Sequence, residues 1–289
     1  MMLLELKNVK KYFPLKKGIF ENKKFCVKAV DQINLAIRAG ENLSLVGESG
    51  SGKTTVARLA LKLLAPDEGS IFWGGEDITH WREQRFRPFR RYIQMVFQDP
   101  YSSLDPRFTI RAILKEAMTL DQFKYHSAPK IEERLEGLLK AVNLSGSILD
   151  RYPHEFSGGE RQRIAIARAL VLNPKLLILD EAVSSLDIII QEQLIKLLLS
   201  LQKEFNMTYL FISHNLKVVR KISHVIAVMY KGKIVEYGTT TSIFNGPLHP
   251  YTQQLLSAAF DYKIGPEKEF DLPPRGCLVD QGEGHWVLE

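Results

Sequence analysis

Apolar and polar positions alternate along residues 3–9 and again along 27–37, the two-residue period of strands with one covered face. A basic, glycine-containing stretch separates them. Residues 42–46 form a short apolar run, read as a buried strand, that enters a Gly-rich turn; residues 54–64 then carry helical spacing. Ala65-Pro66-Asp67-Glu68-Gly69 is a turn signal before a strand over 70–73.

From about residue 86 to 170 the character changes to helical, over 109–119, over 131–142 and from Glu160 to just before Pro174. Beyond it the patterns alternate: strand 175–179, helix 191–205, strand 208–212, helix 216–222, and strands 224–229 and 233–237. Such alternation implies a mainly parallel sheet with crossover helices, the middle segment being a helical insertion. After Gly246, Pro247-Leu248-His249-Pro250 precedes a short helix. The last stretch, 265–289, is rich in Gly, Pro and charge and is expected to pack loosely or to dock on something else. No internal repeat is visible.

The 289 residues are 45% hydrophobic and 25% charged, ordinary for a globular chain with a sizeable core. No run of about 18 apolar residues is present and no signal peptide is read, which leads us to expect a cytoplasmic protein. Cys26 and Cys277 lack metal-ligand spacing and read as buried or incidental thiols, not a disulfide. The net charge of +6 admits anionic partners, but the cations are scattered, at Lys10-Lys11, Lys16-Lys17, Lys23-Lys24 and across 85–91. None is arranged with aromatics as an RNA-binding sheet would be, which argues against nucleic-acid binding.

The Gly-rich turn is Gly47-Glu48-Ser49-Gly50-Ser51-Gly52-Lys53-Thr54, the P-loop pattern, placed after a strand and before a helix. Glycines let backbone N–H groups curl around phosphate oxygens, and the helix N-terminus adds positive potential. Lys53 is expected on the β- and γ-phosphates and the Thr54 hydroxyl on Mg²⁺. Leu176-Leu177-Ile178-Leu179-Asp180-Glu181 is a buried strand ending in two carboxylates. Ligands bind at such strand ends, so Asp180 is placed for Mg²⁺ and Glu181 for an attacking water, as general base. His214 ends another strand, where contact with the γ-phosphate and the water is one reading. Gln98 follows the apolar stretch 93–97, where an amide can ligate Mg²⁺.

Ser157-Gly158-Gly159-Glu160-Arg161-Gln162-Arg163 stands at the start of a predicted helix and resembles the signature motif of ABC ATPases. The resemblance covers residue 3 to about 260. It implies a RecA-like P-loop NTPase core with a mainly parallel sheet, an antiparallel β part at the N-terminus and a helical ABC-specific subdomain. The nucleotide-binding domain then spans 1–255, with the helical part at about 86–170 and a tail at 256–289. By the same likeness Phe13, or alternatively Tyr12, stacks on adenine, and Gly47 to Thr55, Thr55 included, hold ATP and Mg²⁺. Gln98 is the Q-loop glutamine, Ser184-Ser185-Leu186-Asp187 the D-loop and His214 the switch histidine. Ser157, Gly158 and Gly159 are expected on nucleotide held by another subunit, and Asp187 is expected at nucleotide.

A narrower likeness rests on Val27-Lys28-Ala29-Val30-Asp31, on Gln98-Asp99-Pro100-Tyr101-Ser102-Ser103-Leu104-Asp105-Pro106-Arg107, on Tyr152-Pro153-His154-Glu155-Phe156-Ser157-Gly158-Gly159, and on His249-Pro250-Tyr251-Thr252. These are similar to the ATPases of oligopeptide, dipeptide and nickel importers, in particular the second, F-type subunit. That implies two membrane permeases, an extracellular or periplasmic binding protein and a paralogous D-type ATPase (or a second copy) as partners, on the cytoplasmic face of the membrane. Residues 100–111 are expected to meet a permease. Departures are Glu160 for the usual Gln, Phe156 for the usual Leu and the apolar Ile188-Ile189-Ile190. With only Cys277 in the C-terminal region, no iron–sulfur cluster is expected there. The alternative is an ABC ATPase of a non-transport complex acting on nucleic acid; the long coiled-coil insertion or second ABC unit usual in such proteins is not seen.

Overall fold

The computed structural model describes residues 1–14, 26–99, 103–118, 128–260, 269–273, 276–282 and 284–289. The basic pairs at 16–17 and 23–24, residues 100–102 of the expected permease segment and the helix end at Thr119 lie outside them. The chain divides into two compact units, Met1–Trp81 with Leu210–Glu289, and Arg82–Tyr209. The first opens with β1 (Met2–Pro14), β2 (Cys26–Arg38), β3 (Asn42–Val46), α1 (Lys53–Ala60), β4 (Glu68–Trp73) and β5 (Glu76–Asp77). The second holds α2 (Glu83–Phe86), β6 (Ile93–Val96), α3 (Ile110–Met118), α4 (Ala128–Ala141), α5 (Gly158–Leu170), β7 (Leu176–Asp180) and α6 (Ile188–Phe205). β8 (Thr208–Ser213) leads back to the first unit. There follow α7 (Leu216–Ile222), β9 (Val225–Tyr230), β10 (Lys233–Thr239), α8 (Thr240–Asn245), α9 (Pro250–Phe260), β11 (Leu278–Asp280) and β12 (Trp286–Leu288).

In the first unit an antiparallel sheet runs β2-β1-β4-β5. Its alternation is visible in burial: Leu4, Leu6 and Val9 of β1 and Ile33, Leu35 and Ile37 of β2 are all covered. The unit's other sheet runs β11-β12-β10-β9-β3-β8. β3 pairs parallel with β9, and every residue of β3 and β8 is buried. That is why both read as unbroken apolar runs. α1 stops at Ala60, short of the expected Leu64, because Lys62 turns left-handed (φ 52°). Its ammonium is drawn to the carbonyls of Ile78 (2.6 Å) and Trp81 (2.8 Å).

In the second unit β6 pairs parallel with β7, Val96 opposite Leu179. The helices α3, α4 and α5 pack on one another through Ile110, Ile113, Leu114, Leu135, Leu138 and Ile164. α6 begins three residues before the expected start at Gln191. The Asp187 carboxylate accepts from the N–H groups of Ile189 (3.1 Å) and Ile190 (3.0 Å) and so caps a first turn whose exposed Ile188 and Ile189 hide it from a pattern reading.

The tail differs from expectation. β11 and β12 form a hairpin, and β12 adds to the sheet edge with Val287 opposite Glu236 and Trp286 opposite Tyr237. Three-residue strands are too short to show a period, so only the structure reveals them. The anchor is Glu236, fully buried on β10. Its Oε1 accepts from the Leu248 N–H (2.8 Å) and pairs with His285 Nε2 (2.7 Å); its Oε2 accepts from the His249 N–H (3.0 Å). Cys26 and Cys277 are free and exposed, which fits incidental rather than buried thiols. Among the described residues no helix is long and apolar enough to cross a membrane.

His249 heads α9, and its Nδ1 accepts the Tyr251 N–H (3.1 Å), which requires an unprotonated Nδ1. Burial lowers the His249 pKa from the ordinary 6.5, outweighing the opposite pull of Glu236. The unfolded chain therefore binds the proton first as pH falls, and stability is lost below pH ~6.5 as His249 is forced to charge. The expected outcome is that the melting temperature falls from pH 7.5 to 5.5 less in His249→Asn than in the unaltered chain. Asn keeps an acceptor at the helix start and cannot titrate there. Parallel melting curves for the two proteins across that range would contradict the assignment.

Candidate functional site

The phosphate cradle is built entirely from the first unit. β3 ends at Val46 and the chain turns through Gly47 (φ 151°) and Gly52 (φ 110°), values that side chains rarely adopt. Space excludes a side chain as firmly as strain does. A Cβ on Gly47 would lie 2.1 Å from the Met229 carbonyl oxygen, and one on Gly52 would lie 2.0 Å from that of Ala29. α1 then starts with no side-chain cap and no acidic residue in its first turn. The helix dipole places about half a positive charge at that start, which favours an anion there.

Lys53 is 5% exposed, and its ammonium donates to the carbonyls of Gly47 (2.7 Å) and Glu48 (2.6 Å) and to Ser51 Oγ (3.3 Å). A buried ammonium facing carbonyl dipoles keeps its charge aimed into the loop. Thr54 is exposed and Thr55 half-buried in the first turn of α1. A cleft of about 340 Å³ borders Glu48, Ser49, Gly50 and Ser51 and is walled by Tyr230 and Lys231. An uncapped helix start, a cradle that a Cβ would fill and one buried cation fit a polyphosphate.

Two other candidates lie in this unit. His214 is exposed just past β8, the strand beside β3. The next residue, Asn215, caps α7 by accepting from the Lys217 and Val218 N–H groups. On β1, Phe13 is 38% exposed, whereas the Tyr12 hydroxyl donates to Asp31 Oδ1 (2.5 Å). Burial and that bond push the Tyr12 pKa up. Of the two, Phe13 is the more exposed.

The remaining candidates lie in the second unit. Parallel pairing of β6 and β7, Val96 opposite Leu179, brings Gln98, Asp180 and Glu181 to the same strand ends. Asp180 is buried and Gln98 exposed. Glu181 is left-handed (φ 50°), an uncommon state for a residue with a Cβ. The turn is closed behind it by Ser184, whose N–H (3.0 Å) and Oγ (2.8 Å) both donate to its carbonyl. Such strain, of order 1–3 kcal/mol, clusters at functional positions.

The signature segment is a capping box at the start of α5. Glu160 Oε2 accepts from the Ser157 N–H (2.9 Å) and Oγ (2.8 Å), while Ser157 Oγ faces the Glu160 N–H (3.4 Å). Those bonds hold the Glu160 pKa below the usual range. Ser157 and Gly158 are exposed. Gly159 packs so closely that a Cβ would lie 2.7 Å from Ile190 Cγ2, which joins the signature to the turn after Asp187. Asp187 itself is engaged as the cap of α6. The sequence reading missed Tyr251 as a site neighbour: its hydroxyl accepts the Glu48 N–H (3.0 Å). Its only signal was the His-Pro-Tyr-Thr string, which carries no chemistry by itself.

The ABC transporter family matches residues 30–184, and the oligopeptide/dipeptide transporter C-terminal region matches 235–277. The chain is 48% identical to the oligopeptide transport ATP-binding protein AppF of Bacillus subtilis, over 96% of this chain and 87% of that one. It is 45% identical to a probable peptide ABC transporter ATP-binding protein of Sinorhizobium fredii, over 89% and 72%. Glutathione import ATP-binding protein GsiA of Salmonella paratyphi A is 47% identical over 89% of this chain, which spans 41% of GsiA. A dimeric ATP-binding cassette bound to ADP and Pi superposes with a TM-score of 0.73 at 28% identity, over 82% of this chain and 99% of that one. CbiO1 of Clostridium perfringens, part of an ABC transporter complex, gives 0.73 at 26%, over 85% and 91%. The nucleic-acid alternative gains no support from these relatives. The chain belongs to the ABC transporter family, as an ATP-hydrolysing subunit of an importer of the oligopeptide/dipeptide type.

Proposed function

We propose that this subunit binds Mg-ATP through Gly47 to Thr55, with Lys53 on the β- and γ-phosphates, and hydrolyses it with Glu181 as general base. The observation that carries the reading is the uncapped start of α1 beside the buried Lys53 ammonium. Mg²⁺, with Thr54, Gln98 and Asp180 as ligands, supplies neutralisation of phosphate charge when bound. Phe13 stacks on adenine, and His214 contacts the γ-phosphate and the attacking water. Ser157, Gly158, Gly159 and Asp187 serve nucleotide held by a second ATPase subunit, a D-type paralogue by the narrower likeness. The nucleotide-binding domain is taken as 1–255 and the tail as 256–289.

The cargo is a peptide or a related small substrate, in keeping with the names of the relatives above. Two permeases carry it, fed by an extracellular or periplasmic binding protein. The subunit sits peripherally on the cytoplasmic face of the membrane, held by permease contacts near 100–111.

Glu181→Gln removes the base while leaving the phosphate cradle untouched. The expected outcome is unchanged ATP affinity and a hydrolysis rate lower by about 10²–10⁴-fold in the assembled transporter, read by phosphate release. An unaltered rate would remove Glu181 from the role.

Ser157→Arg places a bulky cation at the exposed helix start and breaks the capping box, at about 1 kcal/mol of stability. Nucleotide titration of the isolated chain is expected to be unaffected, because its own cradle lies elsewhere. ATPase activity of the paired subunits should fall about tenfold or more. Loss of binding in the isolated chain, or full activity in the pair, would refute the division of labour.

A further inference from the structure

The Gly47–Glu48 peptide group is held at both ends. Its carbonyl, on Gly47, accepts from Lys53 Nζ at 2.7 Å. Its N–H, on Glu48, donates to the Tyr251 hydroxyl at 3.0 Å. A peptide group is planar, so fixing the direction of its N–H fixes that of its C=O. Gly47, free of side-chain restraint and at φ 151°, does not set that plane by itself. The tyrosine ring reaches the loop from α9, 203 residues along the chain from Glu48.

Tyr251 is itself held rigidly. It is 1% exposed, with the Tyr230 ring 4.3 Å and the Phe270 ring 6.2 Å away between centroids. Its own N–H donates to His249 Nδ1, and the His249 N–H donates to the buried Glu236 carboxylate, which also engages His285 of the tail. The C-terminal region thus forms a brace that ends on the phosphate loop. Burial, together with the Glu48 carboxylate, raises the Tyr251 pKa, so the hydroxyl stays protonated.

We propose that Tyr251 is a positioning residue for the phosphate-binding lysine: by holding the Glu48 N–H it orients the Gly47 carbonyl on which the Lys53 ammonium rests. The inference rests on the reading of Lys53 as the partner of the β- and γ-phosphates. The C-terminal region is then part of the nucleotide site's construction. Nucleotide on Lys53 and order in the His249–Tyr251 segment favour each other, since coupling between two sites is reciprocal.

The test is Tyr251→Phe in the full chain, which keeps the ring and removes only the hydroxyl. ATP and AMP dissociation constants are measured by competition, AMP lacking the phosphates assigned to Lys53, with a melting curve of each protein to verify folding. The expected result is ATP affinity weakened about threefold to tenfold, the worth of one hydrogen bond. AMP affinity stays unchanged. Equal weakening of ATP and AMP marks a general structural role and overturns the proposal, as does unchanged ATP affinity in a folded variant. If the unaltered chain binds ATP no more tightly than AMP, the reading of Lys53 fails first, and the two failures are told apart.

Discussion

A polyphosphate needs several N–H donors and a cation aimed at one point, and the rest of this protein is arranged around that constraint. Hydrogen bonds to a charged group are worth about 1.5–3 kcal/mol each, but only if the donors are held in place beforehand. Here the donors are backbone groups of a loop with three glycines at positive φ, Gly47, Gly50 and Gly52, a loop unable to hold its own shape. The shape is imposed from outside. The Met229 carbonyl of β9 and the Ala29 carbonyl of β2 crowd Gly47 and Gly52, and Tyr251 of α9 holds the Glu48 N–H. Buried parallel strands supply the rigid frame, and the loop carries the chemistry.

α5, α6 and α7 are closed by Ser157, Asp187 and Asn215, each accepting from its own first turn. α1 has no such cap. A helix start that must receive phosphate has to stay open, while the others gain about 1 kcal/mol from closure. Glu160, standing where related signatures carry Gln, accepts two bonds from Ser157 through one carboxylate oxygen. The substitution therefore keeps the segment preorganised, and the exposed hydroxyl and glycine edge still face outward.

Much of the candidate site's local geometry was legible in the sequence because its demands are local. Gly47, Gly52 and Lys53 are dictated by loop geometry within eight positions, and the 176–181 run announces a buried strand ending in carboxylates. The signature serine and Glu160 satisfy each other three residues apart. What the chain order concealed is what depends on distant neighbours. Lys62 ends α1 because carbonyls of Ile78 and Trp81 draw its ammonium away. The hairpin at 278–288 exists because Glu236 and the edge of β10 await it, not because its own residues insist on strand. Tyr251 belongs to the same class: nothing local says that its hydroxyl reaches Glu48.

The cradle of one chain and the signature it exposes are, on this account, used by different copies or paralogues, so hydrolysis should belong to a pair. The most direct measurement is the Mg²⁺-dependent ATPase rate of the purified chain across a wide range of protein concentration. The account predicts activity per chain that rises with concentration, or appears only once the paralogous subunit is added. Constant activity per chain down to concentrations at which the protein is strictly monomeric would contradict it.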